Sequence, residues 1–179
     1  MDHRAHPMTL RKKSPIDYRS RDKHLVRAID DKSNYDECRH KWQKENYGKL
    51  KKQKNKTYVA RCLIRKANTH NGIFEWCDAI KIGYTGYTDK TTVYDRLNKL
   101  FDEFGLMWID LLFLIDGNYE RELQSSLKEI QIIIGCTPSK YIGSSGENYR
   151  VSYEFFVSEI DKVFSLIKSH KWKFEILDT

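Results

Sequence analysis

Four side chains stand where chemistry is feasible: Tyr58, Lys81, Arg96 and Glu120. Arginine presents a planar fork that meets two oxygens of a phosphate at once. A carboxylate is the natural oxygen donor to a hard divalent cation. A phenol with a pKa of about 10 is a poor base at neutral pH, and a neighbouring cation such as Lys81 favours its ionised form. Lys81 alternatively orients a water or holds a phosphate. Each residue also has an ordinary structural reading. A strand tyrosine packs, a lysine between Ile80 and Ile82 faces solvent by period-2 alternation, a helical arginine lies on the surface, and an acid opening a helix favours its positive end. Gly83 shares the face of Lys81 and permits close approach of a ligand or backbone.

The elements that must position them follow from hydropathy. Residues 1–22 are irregular, with a short helix expected over 23–31. Ser33 or Asn34 is placed to cap a helix running to about Lys54, carrying Tyr35, Cys38, Trp42, Tyr47 and Leu50. Thr57–Arg65, Phe74–Trp76 and Ala79–Tyr84 read as strands forming an antiparallel hairpin. Thr91–Phe104 reads as a helix started by Thr91 or Thr92, with Val93, Leu97, Leu100, Phe101 and Phe104 on one face. Leu106–Ile115 is a third strand. Tyr119–Ile134 is a helix with Leu123, Leu127, Ile130 and Ile134 at helical spacing. A Gly/Ser-rich stretch spans 135–146 and a short strand is expected at 148–151. Ser152 is placed to cap a last helix to about His170, burying Phe156, Ile160, Val163, Phe164 and Ile167; 172–177 is extended. The expected fold class is α/β (α+β): a small antiparallel or mixed sheet of about three strands flanked by helices, with a basic helical arm at the N-terminus.

Charge divides the chain. Residues 1–56 hold 17 Lys and Arg against 8 Asp and Glu, whereas residues 57–179 hold 15 against 17. That asymmetry predicts two parts, a basic arm over 1–56 and a domain over 57–179, and an anionic polymer as partner. Phosphate contacts from Arg39, Lys44, Lys51 and Lys52 position a strand without reading its sequence. The longest apolar run of the second half, Leu111–Ile115, has five residues, far short of the roughly 20 of a membrane span. No apolar stretch follows Met1-Asp2-His3-Arg4, so no secretory signal is expected, and the 4 Cys are expected as reduced thiols of a cytoplasmic protein.

Tyr58-Val59-Ala60, Lys81-Ile82-Gly83, Arg96, Glu120-Arg121-Glu122-Leu123-Gln124 and Gly146-Glu147-Asn148-Tyr149 together resemble, in order and spacing, the GIY-YIG nuclease superfamily, in the branch with Lys in the second motif that includes phage proteins and a type II restriction endonuclease. The resemblance covers about residues 57–151. Neither tripeptide keeps the name-giving spelling, Leu100 stands where His or Tyr is frequent, and Gln124 replaces a common His. The resemblance implies a Mg²⁺- (or Mn²⁺-) dependent endonuclease acting on double-stranded DNA in a restriction, phage or mobile-element setting. It implies Tyr58, Lys81, Arg96 and Glu120 as catalytic residues and Glu120 as metal ligand, with Glu122 and Glu147 as fallbacks. Gly83, Tyr84 and Tyr87 are implied beside the nucleic acid. Cutting both strands with one site requires a homodimer or two sequential nicks. The alternative is a catalytically silent nucleic-acid-binding module of the same fold.

Overall fold

The computed structural model describes residues 35–67, 74–86, 88, 90–104, 106–133, 148–149 and 153–177. The expected helix over 23–31, the connection 68–73, Tyr87, the stretch 134–147 with Glu147, and Ser152 lie outside the described residues. The elements run α1 (Tyr35–Leu50), β1 (Lys56–Ala67), β2 (Phe74–Tyr84), α2 (Val93–Phe104), β3 (Leu106–Asp116), α3 (Glu120–Glu129), β4 (Asn148–Tyr149), α4 (Tyr153–Ser158), α5 (Ile160–Ser169) and β5 (Phe174–Glu175). The sheet order is β4-β2-β1-β3-β5, with every pairing antiparallel. The class is α+β, as expected. The three long strands are those read from the sequence, and two-residue strands extend both edges.

Both faces of the sheet are covered. Alternation along β1 sends Tyr58 and Ala60 to one face, where they join Trp42 and Leu50 of α1 and Val93, Leu97, Leu100 and Phe101 of α2. Val59 goes to the other face with Ile80 and Ile82. There they meet Leu123 and Leu127 of α3, Phe156 of α4, and Val163, Phe164 and Ile167 of α5. A strand covered on both faces needs apolar residues at successive positions. This accounts for β3, buried continuously from Leu106 to Ile115.

The helix α1 is packed rather than pendant. Trp42 is buried and its indole Nε1 donates to the Ile109 carbonyl of β3 at 2.8 Å. The boundary expected at residue 56 therefore separates α1 from a sheet on which it packs. The helix ends at Leu50 rather than Lys54 because the chain leaves it to bond α2: Val93 N–H donates to Gln53 O at 2.8 Å, and Lys54 bridges Thr92. Thr92 caps α2 reciprocally with Asp95: Asp95 N–H donates to Thr92 Oγ1 and Thr92 N–H to the Asp95 carboxylate, each at 3.2 Å.

One other helix end differs from expectation: α3 stops at Glu129 rather than Ile134, whereas α5 stops at Ser169, within a residue of the expected His170. In each a non-glycine residue, Gln131 (φ 59°) or Lys171 (φ 60°), takes the left-handed conformation. Ile132 N–H then reaches back to Leu127 O and Gln131 N–H to Lys128 O; Trp172 and Lys171 N–H reach Ile167 and Lys168 O. These are paired 6→1 and 5→2 closures. The reversal leaves Ile130 exposed and buries Ile132 and Ile133 instead. The single last helix expected from 152 to 170 is two helices broken at Glu159, where the Ser158 hydroxyl donates back to Phe155 O.

The β3–α3 turn is fixed by a buried hydroxyl. Thr57 Oγ1 donates to Gly117 O at 2.6 Å and accepts from Tyr119 N–H at 2.9 Å. Thr57→Val keeps the shape and removes both bonds. Urea unfolding should lose about 1–3 kcal/mol with unchanged m-value.

Candidate functional site

Tyr58 pairs directly with Gly83 across β1 and β2, so both point to the face covered by α1 and α2. The phenol lies across the place a side chain at 83 would occupy. A β-carbon there would stand 2.3 Å from the Tyr58 hydroxyl oxygen. Gly83 is thus needed for room, not for its backbone angle. Tyr58 is fully buried, and its hydroxyl meets no hydrogen-bond partner in good geometry. Lys81, two residues before Gly83 and opposite Ala60, is on the same face and also buried, contrary to the solvent-facing reading.

Arg96 is half-buried in the first turns of α2. Its Nη1 contacts both carboxylate oxygens of Glu103, at 3.0 and 3.1 Å. Positions 96 and 103 are seven apart, so they share one flank of the helix. The opposite flank, with Tyr94 and Phe101, is occupied by Trp42 of α1 at 5.7 and 5.1 Å between ring centroids. Arg96 is thereby turned away from α1.

The electrostatics tie three of the four expected residues together. Burial pushes the Tyr58 phenol well above its ordinary value; the Arg96 guanidinium opposes this, while Cys62 and the Glu120 carboxylate add to it. The cation acting on Tyr58 is Arg96, where Lys81 was expected, and burial outweighs it. Tyr58 in this state is harder to ionise than free tyrosine. Glu120 is half-buried at the first position of α3 and reaches this neighbourhood because Thr57 holds the preceding turn against β1.

Of the expected metal ligands, Glu120 is the carboxylate within electrostatic reach of Tyr58, while Glu103 is engaged by Arg96. Among the described residues no group of three or more His, Cys, Asp or Glu gathers for a metal. Glu122 is exposed, and Glu147 lies outside the described residues. One carboxylate suits Mg²⁺, which keeps several waters and takes substrate phosphate oxygens.

The expected nucleic-acid contacts divide. Lys44 and Lys52 are exposed. Arg39 is engaged internally with Asp102 (2.5 Å), Asn98 and the Phe101 ring, and Lys51 with Asp95 (2.5 Å) and the rings of Tyr47 and Tyr94. Tyr84 is half-buried, its ring over Gly86. Gln124 donates to Ile82 O at 3.4 Å.

Several contributors escaped the sequence reading. Thr57 and Glu103 carry no motif. Arg61 and Asp110 face each other across β1 and β3, with the guanidinium 3.8 Å from the Tyr153 ring centroid. A charged residue in each of two apolar strands was the available signal for that pair. Comparison with family models, curated proteins and solved structures finds no match.

The phenol also sets a pH dependence. Its folded-state pKa is raised above the unfolded value of about 10, so its contribution to stability is complete below pH 10 and declines as the unfolded chain ionises above it. Unfolding free energy measured at pH 9 and pH 11 should fall for the wild type, and fall less for Tyr58→Phe.

Proposed function

We propose that the protein is a divalent-metal-dependent nuclease of GIY-YIG type, hydrolysing phosphodiesters of DNA at the Tyr58–Arg96–Glu120 cluster. The observation that carries this reading is the buried Tyr58 hydroxyl over Gly83, met by the Arg96 guanidinium without a well-formed hydrogen bond and within electrostatic reach of Glu120. Buried hydroxyls are nearly always bonded. One met only in poor geometry, by an arginine that a phosphate would also engage, is what a site completed by its substrate requires.

Arg96 binds the scissile phosphate through its fork and meets the negative charge that grows on the phosphoryl oxygens. Binding requires exchange of the Glu103 carboxylate for phosphate, since Nη1 is engaged by Glu103. Lys81 contributes positive charge on the Tyr58 face of β2. Only as the phenolate, its own proton first lost to solvent, would Tyr58 accept a hydrogen bond from the attacking water and take its proton, returning to the phenol. Held by Glu120, a divalent cation would cancel the carboxylate charge that raises Tyr58, stabilise the leaving oxygen and acidify its own waters. Gly83 leaves room for the phenol itself, which fills the space over it.

A raised phenol pKa and a guanidinium already engaged by Glu103 favour, as the second reading, a module that holds nucleic acid without cutting it. Incubation of supercoiled, linear and mixed genomic DNA with wild type and Arg96→Ala, with Mg²⁺ or EDTA, separates the two. Cleavage by the wild type with Mg²⁺ alone, lowered about 100-fold or more in Arg96→Ala, is the expected result. Equal cleavage by both proteins overturns the assignment of Arg96, and salt-sensitive binding without cleavage of any DNA establishes the silent module.

A further inference from the structure

On the other side of the β3–α3 turn, three aromatic rings stack. Tyr119, immediately before Glu120, lies 4.4 Å from Trp172 between centroids with planes 19° apart. Trp172 lies 4.3 Å from His170 with planes 12° apart. Tyr119 and Trp172 are half-buried and pack against the core on the α3–α5 face, whereas His170 is exposed. The column thus runs from packed protein to solvent.

Its geometry is fixed from three directions. The left-handed Lys171 at the end of α5 sends the chain back, with Trp172 N–H bonded to Ile167 O. Asp116 N–H donates to Lys173 O at 2.8 Å, and β5 then pairs with β3 through Leu114–Glu175 and Ile115–Phe174. Tyr119 N–H is held by Thr57. Exposed Lys171 and Lys173 flank the indole in sequence, and exposed Arg121 follows Glu120. Flat π-faces interleaved with cations are what a nucleic-acid strand recognises: bases stack on the rings and phosphates meet the lysines. A buried packing cluster has no use for an exposed imidazole at its outer end.

We propose that the His170–Trp172–Tyr119 column with Lys171 and Lys173 is a binding site for an unpaired base and its flanking phosphates. It guides the strand past Glu120. The proposal rests on the nucleic-acid reading of the Tyr58–Arg96–Glu120 cluster. It locates a DNA-binding surface in the C-terminal segment, outside the basic residues 1–56.

The test is binding of a fluorescently labelled short oligothymidylate to the full-length chain, by anisotropy in EDTA over a range of salt. His170→Ala should weaken binding about five-fold or more, within the range for removing one stacked ring. Its salt slope should stay unchanged, and His170→Phe, which keeps a ring face, should restore affinity. Lys171→Ala/Lys173→Ala should lower the slope of log K against log salt by about 1.4, about 0.7 for each phosphate of a single strand that is no longer neutralised. These residues are exposed, so circular dichroism should show the fold unchanged. Wild-type affinity in His170→Ala together with an unchanged slope in the lysine variant overturns the site; if the wild type still cleaves DNA, the nuclease reading survives that failure. Column-dependent binding by a chain that cleaves no DNA supports the site while removing the nuclease reading. Absence of oligothymidylate binding by the wild type overturns it outright.

Discussion

A buried hydroxyl without a hydrogen bond costs about 1–3 kcal/mol, and Tyr58, met by Arg96 without a well-formed bond, carries part of that cost on the central strand of the sheet. The surroundings hold it there. β1 is paired along its length on both sides, so Tyr58 cannot move without breaking a ladder. Gly83 supplies the volume, and Leu97 and Leu100 of α2 belong to the core cluster that covers the same face. The apolar packing that keeps the phenol dry is also what raises its pKa. Stability and reactivity are opposed at this atom: dry surroundings fix the ring's position and disfavour the charge that a base must pass through. Added positive charge, or loss of the Glu120 negative charge, works against the rise that burial chiefly causes.

The remaining parts of the cluster are held by contacts to the ends of β1. Thr57, one residue before Tyr58, fastens the turn from which α3 and Glu120 begin. Thr85 hydrogen-bonds the backbone of Lys56 through its N–H and its hydroxyl, fixing the end of β2 just beyond Gly83. The start of α2 is bonded to Gln53 and Lys54, just ahead of β1. Three elements far apart in sequence are thus located relative to one another within a few residues of Tyr58. A displacement of α1 through Trp42 would propagate to Arg96, because Trp42 stacks on Tyr94 at the start of the same helix.

The fold class and the three long strands were legible because they rest on local signals, unbroken or alternating apolar runs; the start of α2 was left between Thr91 and Thr92, and the bonds to Asp95 make Thr92 the cap. The end of α3 and the break at Glu159 were not, although the last helix was read to within a residue of its end. Left-handed closure usually announces itself with glycine, and here Gln131 and Lys171 fill those positions. The amphipathic pattern carried on through Ile130, which the reversal exposes. Site legibility divides in the same way. Tyr58, Arg96 and Glu120 stood out only as a set, through their resemblance in order and spacing to the GIY-YIG superfamily, since each alone has an ordinary packing or surface reading. Glu103 did not, because a carboxylate two helical turns from an arginine is an ordinary surface residue until the fold turns both from α1. Lys81 was legible as a position and misread as an environment, since alternation predicts a face and not what covers it.

Charge placement carries the last consequence. Net positive charge in residues 1–56 suggested that this segment supplies the phosphate contacts to an anionic partner. Arg39 and Lys51 are spent on Asp102 and Asp95, anchoring α1 to α2 across the first core layer. Such pairs, half-exposed, contribute about 0–1 kcal/mol each, but they remove two cations from the count offered to a phosphate backbone. Cations in the C-terminal half matter more than their net balance implies, because position and not sum sets the local potential. Arg121 follows the Thr57-held turn, and exposed Lys171 and Lys173 lie on the segment that bonds to Asp116 at its start. A chain whose second half is formally acidic can therefore still present a positive edge beside Glu120, with aromatic faces between the charges.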